Sequence, residues 1–162
     1  AIKFIQFNYS HDISVDDIAK AVGVSRSHLY RVFMSNVGQS PIDYLTSYRI
    51  SEACSLLKNS SLSIAEIAVS VGFFDQFYFS RVFKKATGET LINYIQNEKI
   101  KTAIYLFKET NLSVSQVADR LGYTNFSYFS QLFKQKTGYT VREYKRKYLN
   151  KTDGDNAADL LR

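Results

Sequence analysis

The sequence has 162 residues, a hydrophobic fraction of 45%, one proline and seven glycines. That is room for one domain or two small ones, with enough apolar content for real cores, and the composition argues against wholesale disorder and against long β-strands. A net charge of +6 and a sequence pI near 9.3 suit a polyanionic partner, nucleic acid or an anionic surface. No apolar run approaches the length of a membrane span, so a membrane is not expected as a partner, and no signal-peptide pattern opens the chain. The single cysteine, Cys54, excludes an intramolecular disulfide and a cysteine-based zinc site within one chain. It lies in the apolar stretch RISEACSLL and reads as a small buried residue in a reducing, cytoplasmic protein.

Taken in chain order, residues 1–10 (AIKFIQFNYS) have the pattern of a short helix. Ser14 is a candidate N-cap with Asp17 three residues on, a shorter relative of the capping box. Ile18 and Val22 then share one face, and Gly23 ends the helix where a left-handed conformation is cheap for glycine. A second helix opens at Ser25 and carries Leu29, Val32 and Phe33 as an i, i+3, i+4 stripe. Pro41, after Ser40, suits the first position of a longer helix whose apolar face is Ile42, Leu45, Ile50, Ala53, Leu56 and Leu57.

The pattern then repeats. SVDDIAKAVGVSRSHLYRVF from Ser14 aligns with SIAEIAVSVGFFDQFYFSRVF from Ser63 and SVSQVADRLGYTNFSYFSQLF from Ser113. Ser63 with Glu66 and Ser113 with Gln116 complete capping boxes. Ile67 with Val71, and Val117 with Leu121, repeat the first-helix face, and Gly72 and Gly122 repeat the stop. The second helices open at Asp75 and at Thr124 or Asn125, with stripes Phe79, Val82, Phe83 and Phe129, Leu132, Phe133. Leu91, Ile95, Ile100, Ala103, Ile104 and Phe107 repeat the long linker face. The spacing from Gly23 to Phe33 is 10, against 11 from Gly72 to Phe83 and from Gly122 to Phe133, so the first turn is one residue shorter.

A helix, a glycine-bearing turn and a second helix with a packed stripe is the helix-turn-helix pattern. The fold expected is all-α: three helix-turn-helix units joined by two linker helices of about 17–20 residues. The units fall at 1–40, 59–90 and 110–150, the last with a C-terminal helix. The linkers span 41–58 and 91–109, and 151–162 reads as a disordered tail.

The stretches GVSRSHLYRVF, PIDYLTSYRISEACSLL and SIAEIAVSVGFFDQFYFSRVFKKATG resemble the DNA-binding domain of the AraC/XylS family of bacterial transcription regulators. Residues from about 5 to 95 cover one such domain. The chain departs from the family's two-unit pattern by continuing into a third unit with the longer turn, as a fusion or chimera of two overlapping domains would.

The resemblance implies that double-stranded DNA is the partner and that the second helix of each unit enters the major groove. With the apolar stripes turned inward, the base-reading candidates are Arg26, Ser27, Tyr30 and Arg31 in the first unit. They are Gln76, Phe77, Ser80 and Arg81 in the second, and Asn125, Phe126, Ser127 and Gln131, with Ser130 beside them, in the third. Arginine pairs with guanine O6 and N7, glutamine with adenine, and phenylalanine touches thymine methyls. Lys84, Lys85, Lys134 and Lys136 are candidates for phosphate, with Arg142, Lys145, Arg146 and Lys147 clustered further on. Units held about 10 base pairs apart would span about 30 base pairs in all. RNA polymerase is a further candidate partner, and a sensor domain or effector is expected outside this stretch.

No cofactor and no catalysis are expected. His11 and His28 are the only histidines, and no nucleophile–base set, phosphate loop or metal cluster stands out. A helical protein-interaction module that does not bind DNA is the alternative, because a fold does not fix a function.

Overall fold

The computed structural model describes residues 1–149; the expected disordered tail at 151–162 lies outside them. Among the described residues ten α-helices occur in order: α1 (Ile2–Asn8), α2 (Val15–Ala21), α3 (Arg26–Val37), α4 (Pro41–Asn59), α5 (Ile64–Ser70), α6 (Gln76–Thr87), α7 (Leu91–Glu109), α8 (Val114–Arg120), α9 (Phe126–Thr137) and α10 (Val141–Tyr144). A π-helical turn, Lys145–Leu149, follows α10. There is no strand among the described residues. The chain divides into two compact units, Ala1–Asn93 and a second from Tyr94 onward, so the division falls within α7.

Capping chemistry sets the helix starts. Ser14, Ser63 and Ser113 each accept a hydrogen bond from the backbone N–H three residues on, and the side chains of Asp17, Glu66 and Gln116 each accept one from the cap's backbone N–H. The helices they open, α2, α5 and α8, have only seven residues each. Two turns are marginal in water, so these helices depend on packing against their neighbours. Helices α4 and α7 have 19 residues each, and Pro41 occupies the first turn of α4 behind the Ser40 cap.

In the first unit, one core joins Ile5 of α1, Ile18 and Ala19 of α2, Leu29 and Phe33 of α3 and Leu45 of α4. Further along the same unit, Ile50, Ala53, Ile67, Ala68, Val71, Phe73, Phe79, Phe83 and Leu91 are buried. The rings of Phe73, Phe79 and Phe83 meet in sequence, with centroids 5.2 and 5.9 Å apart. The second unit is organised around Ile100, Ala103, Phe107, Val117, Ala118, Phe129, Leu132, Phe133 and Val141. Each buried Val, Leu, Ile or Phe side chain among them contributes on the order of 1.5–3 kcal/mol.

Three positions expected on apolar faces are exposed instead. Val22 is 38% exposed and Val32 42%, whereas of their counterparts Val71 and Leu132 are buried and Leu121 and Val82 half-buried. Helix α1 supplies about two turns where α4 and α7 supply about five, and the shorter turn offers Val24 where Phe73 and Tyr123 place rings. Less material therefore covers this end of α3. Ile42 is exposed on the first turn of α4. Cys54 is only partly buried, because it sits beside Ala53 at the edge of the packed face.

Candidate nucleic-acid interface

Three twelve-residue helices, α3, α6 and α9, are placed by the same local devices. Each opens on a side-chain cap. Ser25 Oγ accepts from the His28 N–H at 3.2 Å, Asp75 Oδ1 from those of Phe77 at 2.7 Å and Tyr78 at 3.2 Å, and Asn125 Oδ1 from that of Tyr128 at 3.0 Å. Each closes on a glycine, Gly38, Gly88 or Gly138, whose N–H returns to the helix. Leu29 and Phe33, Phe79 and Phe83, and Phe129 and Phe133 turn inward.

With those side chains buried, the opposite face is left to solvent. On α3, Arg26, Ser27, Tyr30 and Arg31 are all exposed. On α6, Gln76, Phe77 and Arg81 are exposed, and Phe77 keeps 77% of its accessible surface. Ser80 is half-buried and its hydroxyl donates to the Gln76 carbonyl at 2.9 Å, so it presents lone pairs rather than a proton. On α9, Phe126, Ser127 and Gln131 are exposed and Ser130 is half-buried. Asn125 is exposed too, and its Oδ1 serves the cap. In the turn before α6, Phe74 is 72% exposed; it stands ahead of the first helical residue and so outside the helical periodicity.

The charged groups are held loosely. Arg26 Nη1 lies 3.7 Å from Asp16 Oδ2, an exposed ion pair of the kind that water and salt weaken. Arg31 Nη2 lies 3.4 Å from His28 Nδ1. The Arg81 guanidinium stands 5.9 Å from the Tyr78 ring centroid, which orients it without consuming its donors. Lys84 and Lys85 occupy the last turn of α6, and Lys134 and Lys136 that of α9, within these helices rather than after them. Lys84, Lys85 and Lys134 are exposed and Lys136 is half-buried. Of the C-terminal basic residues, Lys145 lies over the Phe107 ring at 4.5 Å, and Lys147 over those of Tyr139 and Tyr148 at 4.4 and 5.2 Å.

Arg49 on α4 escaped the sequence reasoning. Its Nε donates to the Tyr9 carbonyl at 2.7 Å and its Nη2 to the His11 carbonyl at 2.8 Å, while its guanidinium lies 5.6 Å from the Phe73 centroid. Burial pulls its pKa down from the ordinary arginine value, against the opposing field of Asp12, yet a guanidinium stays charged. The available signal was a basic residue on the apolar stretch of a linker, repeated fifty positions later as Lys99. Lys99 Nζ lies 4.9 Å from the Tyr123 ring centroid in the second unit. There, Gln96 Nε2 donates to the Tyr128 hydroxyl at 3.0 Å.

No cluster of His, Cys, Asp or Glu that could hold a metal ion occurs among the described residues. No helix among them is long and apolar enough to cross a membrane.

Comparison with known proteins places this architecture. The profile of a helix-turn-helix domain matches twice, over residues 18–96 and, overlapping, 76–147. The lactose operon transcription activator of Staphylococcus xylosus is 45% identical over 80 residues, which are 49% of this chain and 29% of that protein. The Msm operon regulatory protein of Streptococcus mutans is 42% identical over 78 residues, 48% of this chain and 28% of that one. The matched stretch thus spans under a third of the length of these relatives. Among solved structures, the C-terminal domain of AraT, a response regulator from Geobacillus stearothermophilus, superposes with a TM-score of 0.56 at 37% identity, covering 58% of this chain and 78% of that one. An AraC-type transcriptional regulator from Chromobacterium violaceum superposes with a TM-score of 0.57 at 31% identity, covering 60% and 87%. With the profile matched across more than half its length, the chain belongs to the AraC/XylS family of helix-turn-helix DNA-binding domains of bacterial transcription regulators.

Proposed function

We propose that the chain recognises duplex DNA by sequence, with α3 and α6 lying in the major groove and α9 acting as a third reading helix. The observation that carries this reading is the shared construction of the three helices. Each is capped by a side chain, packed through paired apolar residues and left with exposed, hydrogen-bonding or aromatic side chains over its N-terminal half. The N-terminal part of a recognition helix is the part that reaches base edges.

In this reading Arg26, Arg31 and Arg81 donate to guanine, Gln76 and Gln131 pair with adenine, and Phe77 and Phe126 meet thymine methyls. Ser27, Tyr30, Ser80, Asn125 and Ser127 complete the base-facing set. Lys84, Lys85, Lys134 and Lys136 bind phosphate. Helix pairs α2–α3, α5–α6 and α8–α9 are then three helix-turn-helix units, with α4 and α7 as linkers. The family assignment makes RNA polymerase and a separate effector-responsive domain candidate partners, and the cytoplasm the place of action.

Selection of bound sequences from random duplex DNA tests the reading. Arg31→Ala and Arg81→Ala are expected to erase preference at one local position each. Footprinting tests the third reader: protection confined to two adjacent turns would leave α9 idle. Helix-turn-helix folds that bind only protein would select no sequence and show no salt-dependent affinity.

A further inference from the structure

Two reading helices that address neighbouring turns of one duplex need a fixed separation and rotation. Each added base pair moves a half-site by about 3.4 Å and turns it by about 35°. Between α3 and α6 the backbone offers three places to bend, the connections 38–40 before α4, 60–63 after it and 71–75 before α6. Arg49, midway along α4, makes contacts that bypass the first two and reach into the third.

Its fork donates to the carbonyls of Tyr9 and His11, in the connection leading into α2, at 2.7 and 2.8 Å. Its other side meets the turn that launches α6. The guanidinium lies 5.6 Å from the Phe73 ring centroid, and a Cβ added to Gly72 would sit 2.9 Å from both Nε and Nη2. The same Cβ would sit 2.6 Å from the Tyr9 oxygen, so the two connections touch at this point. Helix α2 packs on α3, and Phe73 precedes the first residue of α6 by three.

We propose that Arg49 is a positioning residue for DNA recognition, tying the α1–α2 connection to the α5–α6 turn and so setting α6 relative to α3. The proposal rests on the reading of those two helices as DNA-contacting. A planar guanidinium can hold two carbonyls while its face lies on a ring, whereas lysine offers one ammonium.

The test uses the whole chain with Cys54→Ala and spin labels at positions 35 and 86, exposed sites on α3 and α6. Distances between labels are measured for the parent, Arg49→Gln and Arg49→Lys, with helix content followed by circular dichroism. Affinities are measured on the selected duplex and on duplexes with one base pair added to or removed from the spacer between half-sites. The parent should give a narrow distance distribution and bind the altered spacers at least about tenfold more weakly, the loss of about one base contact. Arg49→Gln should keep its helix content, broaden the distribution and bring the spacer penalty below about threefold, with Arg49→Lys between.

An unchanged distribution and penalty in Arg49→Gln would overturn the proposal. So would equal weakening on every spacer, or loss of helix content in both variants, which would make Arg49 a stabilising residue only. If the parent selects no DNA sequence while Arg49→Gln broadens the distances, the DNA reading fails and a purely structural clamp is left.

Discussion

The guanidinium of Arg49 donates to the backbone carbonyl of Tyr9 at 2.7 Å, across forty residues of sequence. Gly72 lies against this junction with a φ of +85°, and a Cβ there would come within 2.6 Å of the Tyr9 oxygen. Gly23 has a similar φ of +67°, but a Cβ there would meet nothing within 4 Å. Gly23→Ala should therefore cost only the left-handed penalty, on the order of 1–2 kcal/mol. Gly72→Ala should cost distinctly more, about 3 kcal/mol or above, because carbonyl and guanidinium must both shift. Urea unfolding of the two variants checks this, and equal losses would mean that the junction yields freely.

Acid should weaken the first unit through its capping boxes. The Ser14 hydroxyl and backbone N–H hold the Asp17 carboxyl below its ordinary range, and those of Ser63 do the same for Glu66. A carboxyl whose pKa is lower folded than unfolded stabilises the fold above the unfolded value, near 4, and loses that contribution as pH falls through the folded value. Glu66→Gln should keep the box, since Gln116 Oε1 already accepts from the Ser113 N–H at 2.8 Å. Its melting temperature should thus fall less than the parent's between pH 5 and pH 3. A fall identical to the parent's would remove Glu66 from the acid response.

The start of α6 depends on Asp75, whose Oδ1 accepts from two backbone N–H groups. Asp75→Ala should destabilise by about 1–2 kcal/mol, and Asp75→Asn should recover most of it, as Asn caps are comparably good. Asn125 performs that service for α9. Thermal or urea unfolding reads both variants, and failure of asparagine to rescue would indicate that charge rather than capping is what matters.

Much of this architecture was legible because it follows local rules. Ser14, Ser63 and Ser113 announce helix starts, Gly23, Gly72 and Gly122 announce stops, and Pro41 marks a linker. The exposed faces of α3, α6 and α9 were legible by subtraction: once Phe79 and Phe83 turn inward, Gln76, Phe77 and Arg81 must turn out. What escaped depends on contacts remote in sequence. The 3.6-residue period puts Val22 and Val32 on the packed face, but it cannot show that α1 is too short to cover them. Nor does it show that Ser80 turns its hydroxyl back to Gln76, or that Phe74 protrudes from a turn. Nothing in the local pattern marks Arg49, because its acceptors lie 38 and 40 residues away.

Base readers and phosphate binders should separate by the shape of their defects. Arg81→Ala should weaken binding to the selected sequence by about 1–3 kcal/mol and relax preference at one position. Lys85→Ala should weaken binding to all sequences alike and reduce the slope of log K against log salt by about 1. Competition binding at several salt concentrations distinguishes them. A uniform defect in Arg81→Ala would reassign that arginine to the backbone of the duplex.

The central claim, that α3 and α6 read neighbouring turns of duplex DNA, is tested most directly by selecting bound sequences from random duplex DNA with the intact chain. The expected result is an enriched site with two half-sites about 10 base pairs apart, bound more weakly as salt rises. No enrichment, together with no affinity for duplex DNA at low salt, would contradict it.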